Sequence, residues 1–210
     1  MTVNSNELHQ LVIRNLAILE AAPKVVKEIQ ITVFTAINSR IREWYEKRNW
    51  DGVADCCVAK EDETIFHPRV WPKDEDGNYK AWYTFEATGY DNYAHYLSAL
   101  TGIATSGDAF PYEFGLWFVV DAKAITGQAN KAWKDYLAEQ VNLHPELEQA
   151  GFRIFSGNKC SLYRPVRIDS ELLAQSYPDA GDALSPVDLA LQSLEDVHPI
   201  IDKILKNALQ

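Results

Sequence analysis

Asp121 and Lys123, separated by one alanine, follow directly on the longest apolar run of the chain, Phe114-Gly-Leu-Trp-Phe-Val-Val120. A run this rich in aromatic and β-branched residues predicts a buried strand. A one-residue spacer at the end of a strand places two side chains on one face. A carboxylate and an ammonium so placed suit metal-assisted chemistry, because Mg²⁺ takes carboxylate oxygens beside a phosphate. The same pair is also what a central strand needs where it leaves the core for water.

Strand, Asp121, one spacer, Lys123 and then a helix resembles the core of the PD-(D/E)XK nuclease superfamily. That resemblance implies a Mg²⁺ ion held by Asp121 and an upstream acid, with Lys123 positioning or activating water. The upstream acid is then Asp108, with Glu113 the second choice. Glu28 would stand at the family's helical acid position and Gln128 where some members carry glutamine. The resemblance spans about twenty residues, and a motif of that size is a short-range signal.

Other reactive side chains form no comparable set. His9, His67, His95, His144 and His198 are scattered, and none stands at metal-ligand spacing from a second histidine or a cysteine. Cys56 and Cys57 are read as neighbours on a strand, one facing in and one out. Neither has a base or a positive field nearby in sequence to activate it. No phosphate-binding loop, nucleophile elbow or dinucleotide-binding glycine fingerprint occurs.

A second constellation suits recognition. Trp71, Trp82, Tyr83, Tyr90, Tyr93 and Tyr96 crowd the middle of the chain beside Asp74, Glu75 and Asp76, with Glu86 on the same side of its strand as Trp82. Aromatics with a polar edge are favoured at protein interfaces. The alternative use for such residues is core packing. The net charge of −10 opposes anionic surfaces and lacks the basic footprint of a nucleic-acid binder. A neutral or basic protein partner fits its sign.

Three cysteines, two of them adjacent, do not form a disulfide framework and point to a reducing compartment. With no signal-peptide pattern at the N-terminus and no apolar segment of membrane-spanning length, the expected location is cytoplasmic, with no membrane partner.

The elements that must position these residues follow from period and punctuation. A helix is expected to about Ala21, and a second opening on Pro23 with a stripe at Val26, Ile29, Val33, Ile37, Ile41 and Trp44. The period then shortens to two. Strands are expected over Val53–Ala59, Glu63–Trp71 and Tyr79–Thr88, joined as an antiparallel meander through the Asp-Gly turn at 73–78. Pro68 and Pro72 push the second of these toward an edge. A helix within 90–104, the strand Phe114–Val120, a helix over 127–143 and a short turn of helix closed by Gly151 come next. Two strands, 152–155 and 160–168, flank a hairpin, and Asp169 caps a short helix. The Pro/Gly/Asp-rich stretch 177–184 reads as a linker between a domain of residues 1–176 and a helical tail of 185–210 packed on it, bent or split at Pro199.

The expectation is an α+β fold: a mostly antiparallel sheet of about six strands, covered by helices and bounded by N- and C-terminal helices. The function expected is that of a non-enzymatic, acidic protein-binding module, needing no cofactor. The alternatives are the Mg²⁺-dependent nuclease or an inactive relative, and a small-ligand sensor with an aromatic pocket.

Overall fold

The computed structural model describes residues 5–58, 63–88, 96–102, 113–126, 130–155 and 161–209. Its frame is a six-stranded antiparallel sheet in the order β1-β2-β3-β4-β6-β5. The strands are β1 (Asp51–Ala54), β2 (Thr64–His67), β3 (Ala81–Ala87), β4 (Phe114–Val120), β5 (Arg153–Phe155) and β6 (Ser161–Val166). The α+β class and the antiparallel sheet are as expected. β4 is central, hydrogen-bonded to β3 along its whole length and to β6 on its other side.

The first three strands form the expected meander, with one correction. β2 lies between β1 and β3, and it is β1 that forms the edge. Pro68 follows the last residue of β2, so it ends the strand without removing a ladder donor. The 73–78 turn closes by an Asp74 carboxylate that accepts from the Asn78 N–H at 2.7 Å. That hydrogen bond holds the Asp74 carboxyl below the usual carboxylate range.

Alternation along β3 puts Ala81, Tyr83 and Phe85 into the main core, opposite Phe118 and Leu116 of β4. Trp82 points to the other face, where it packs on a smaller cluster of Trp117, Val119 and Tyr163. Gly115 is required there. A Cβ on it would stand 2.2 Å from the Tyr163 ring, whose hydroxyl donates to the Phe114 carbonyl at 3.2 Å.

Eight helices accompany the sheet among the described residues: α1 (Ser5–Arg14), α2 (Leu16–Lys47), α3 (Tyr96–Thr101), α4 (Ala122–Thr126), α5 (Asn130–Leu143), α6 (Glu146–Gln149), α7 (Ser170–Ser176) and α8 (Ser185–Ala208). Two boundaries differ from expectation. The first break falls at Asn15, not at Pro23, and α2 runs through Pro23 as one helix of 32 residues. Proline removes a single backbone hydrogen bond there, on a part of the helix that faces solvent, so the cost is local. α8 likewise continues through Pro199. A short helix not foreseen, α4, stands between β4 and α5.

α2 and α8 cover the core face of the sheet together. Val33, Phe34, Ile37 and Ile41 of α2, and Leu194, Ile201, Ile204 and Leu205 of α8, are fully buried. Arg40 pairs with Asp188 and Arg48 with Glu195, so the two helices run in the same direction along each other. Stretch 177–184 adds Ala180, Ala183 and Leu184 to the same core. No helix among the described residues is long and apolar enough to cross a membrane.

Candidate functional site

Asp121 follows β4 and caps α4: its Oδ1 accepts from the Ala124 N–H at 3.0 Å. This is the standard duty of an aspartate before a helix, satisfying one of the orphan N–H groups of the first turn. Asp121 and Lys123 are both exposed. Glu113 stands before the first residue of β4 and is paired with Arg153 at 2.8 Å. Seven strand residues separate it from Asp121, a span of roughly 25 Å at the usual rise, so the two do not share a site. Glu28 is exposed on α2 beside Lys24. Asp108 and Gln128 lie outside the described residues. Among the described residues, no three metal-ligating side chains converge.

The aromatic and acidic residues of the second constellation separate. Trp71 is buried in the main core, its indole N–H donating to Asp202 Oδ1 of α8 at 3.1 Å. Trp82 and Glu86 are half-buried on the opposite face of the sheet. Glu75 and Asp76 are exposed at the tip of the 73–78 turn, and Asp74 is spent on closing that turn. Tyr90 and Tyr93 lie outside the described residues.

Two other features take their place. The first is an aromatic nest at the C-terminal end of α2. Trp50 lies parallel to Tyr83 at 5.6 Å between centroids and 4.7 Å from the His198 ring, with Trp71 and Phe66 behind. Tyr83 is fully buried, and its hydroxyl shares a 2.9 Å hydrogen bond with His198 Nδ1. Burial drives the Tyr83 hydroxyl well above its ordinary value, with the Asp202 charge adding to it. Burial also holds His198 below the ordinary histidine value, against the opposing pull of Asp202. The nest opens to solvent through a cleft of about 280 Å³ lined by Trp44, Arg48, Trp50, Glu195 and His198. Arg48 bridges its mouth, stacked 4.0 Å over the Trp44 ring and paired with Glu195. The cleft is smaller than most small-molecule sites, which span about 300–1,000 Å³.

The second feature is the N-terminal half of α2 with α1. The core begins at Val33, and before it Leu11, Ile13, Leu16, Ile18, Leu19, Val25, Val26 and Ile31 are all exposed, Ile18 at 68%. Val26, expected in the buried stripe, is among them. A shallow apolar groove runs along this segment, floored by Ala17, Ala21 and Ala22 and walled by Ile18, Val25 and Val26. Small residues at such spacing let a second helix approach closely. The period-3/4 pattern in the sequence was its only available signal, and it was legible there as core.

No protein-family model, curated protein or solved structure matches this chain.

Proposed function

We propose that the chain is a protein-binding module and that its contact surface is the helical arm formed by α1 and the first half of α2. The observation that carries this is the exposed run of leucine, isoleucine and valine described above. Nine large aliphatic side chains between Leu11 and Ile31 are each more than a third exposed, Ile18 the most at 68%. Uncovered patches on monomeric proteins are usually limited to a few hundred Å².

The chemistry of the occupant follows from charge. Within residues 5–32, Arg14, Lys24 and Lys27 balance Glu7, Glu20 and Glu28, so the arm is neutral and the whole charge of −10 belongs to the remainder. An arm without excess lysine or arginine lacks the feature that draws amphipathic helices to anionic lipid. An acidic body opposes packing against its own copies. The surface therefore fits an amphipathic helix of another, neutral or basic protein, laid along the alanine-floored groove.

A photo-crosslinking residue at position 18 tests this directly. The expected result is one defined protein captured in cells, bound by the purified chain, and lost on Val25→Glu with the fold intact by circular dichroism. Two results would overturn it: no adduct above background, or a purified chain that sediments as a dimer through the same face.

A further inference from the structure

The adjacent cysteines do not alternate across a strand as their sequence suggests. β1 ends at Ala54, and Asp55-Cys56-Cys57-Val58 forms a turn closed by the Val58 N–H to the Asp55 carbonyl at 3.1 Å. Cys57 occupies the third position of that turn with φ +60°. Type II turns use glycine there because a side chain at positive φ is strained. A thiol holds the place instead, and the two sulfurs lie 3.3 Å apart.

The surroundings hold Cys56 in place from both sides of its peptide. Asn38 of α2, 4% exposed, donates from Nδ2 to the Cys56 carbonyl at 3.0 Å. Thr64 of β2, 1% exposed, accepts from the Cys56 N–H at 3.3 Å and donates to Asn38 Oδ1 at 3.3 Å. Arg42 fixes the start of the turn through the Ala54 carbonyl and the Asp55 carboxylate. Cys56 is thus buried and clamped, whereas Cys57 is only half-buried. The Cys56 backbone is held, and the half-buried Cys57 stands beside it.

From this geometry we infer that Cys56 and Cys57 form a dithiol modification site that closes to a vicinal disulfide on reaction with low-molecular-weight disulfides. The steps balance. The Cys57 thiolate attacks one sulfur of the small disulfide, whose S–S bond breaks and releases one thiolate. The Cys56 thiolate then attacks Cys57 Sγ, the mixed disulfide breaks, and a second small thiolate leaves. Two protons pass from the cysteines to the two leaving thiolates. The protein is oxidised by two electrons and one small disulfide is reduced to two thiols. Closure moves the sulfurs from 3.3 Å to about 2.05 Å. Adjacent Cα atoms are about 3.8 Å apart, below the usual disulfide span of about 4.4–6.8 Å. The bond is therefore strained, and strained disulfides are the readily reduced ones. The site is reversible for that reason.

The test uses the full chain carrying Cys160→Ser, so that only the pair remains. After incubation with oxidised glutathione and an acid quench, the expected product is lighter by two hydrogens. Its cysteines resist alkylation and map to one peptide, and excess dithiothreitol restores both thiols. Adding Cys56→Ser should arrest the reaction at a glutathione adduct on Cys57. Differential alkylation of the unmutated chain reads the same pair without relying on any variant to fold. Accumulation of a Cys57 adduct while Cys56 still alkylates would overturn the inference. So would a bond formed between chains, or no reaction at either thiol.

Discussion

The two halves of α2 carry the same kind of sequence and meet opposite fates. From Leu16 to Ile31 the helix presents Leu, Ile, Val and Ala to solvent; from Val33 to Tyr45 a stripe of Val33, Phe34, Ile37, Ile41 and Tyr45 is buried under the sheet and α8. Hydrophobic periodicity states which face of a helix is able to be buried. It does not state whether anything arrives to bury it. For the second half β1, β2 and α8 arrive, bringing Phe66 against Tyr45 and the Arg40–Asp188 and Arg48–Glu195 pairs. For the first half no described element does, and its aliphatic side chains stay exposed. The exposed half is where the proposed contact with another protein falls.

Isoleucine occurs in both halves, buried at Ile37 and exposed at Ile18. Ile37→Ala removes a fully buried side chain and should cost about 2–5 kcal/mol of stability in urea or guanidinium melts. Ile18→Ala, at a position 68% exposed, should change stability by less than about 0.5 kcal/mol. Equal losses at both positions would show that the arm is packed in solution.

A smaller difference is expected between charged pairs. Arg48→Ala gives up the Glu195 pair, the stack on Trp44 and a 2.9 Å hydrogen bond to the Trp44 carbonyl. With both partners partly exposed and screened, about 1 kcal/mol is the expected loss, reduced by added salt. The Lys24→Ala change breaks only an exposed pair within the arm, and equilibrium unfolding should barely register it.

Acid is the mildest probe and separates the halves without mutation. His67 and His198 sit in the body, and burial holds both below the ordinary value of 6.5. The unfolded chain then binds more protons than the folded one as pH drops. The stability these groups contribute is complete above about pH 6.5 and is lost as pH falls through their lowered folded values. Thermal melts between pH 7.5 and 5 should show this decline, and His198→Asn should flatten it. Neither of these histidines lies on the arm, so the decline reports on the body.

Much of the fold was legible in order along the chain. β4 lies where its aromatic and β-branched run places it, the meander of β1, β2 and β3 follows its turns, and Asp169 caps α7 by accepting from the Leu172 N–H at 2.8 Å. These features depend on residues a few positions apart. The misreadings have a common cause. Pro68 read as an edge signal because the residue itself cannot show which strand will pair outside it. Trp71 read as a recognition residue because nothing near it in sequence shows that Asp202, on α8, will meet its indole N–H.

By itself the sequence determined the class of the fold, the central strand and most element ends, because period, caps and turn residues act over one or two turns of chain. Asp121 was visible there as a charged strand exit; only the structure made it a helix cap. The tertiary structure alone decided which half of α2 is core, brought His198 to Tyr83, and set the two cysteine sulfurs against each other. Each of these depends on where distant segments pack, and burial is a property of that packing rather than of the residue.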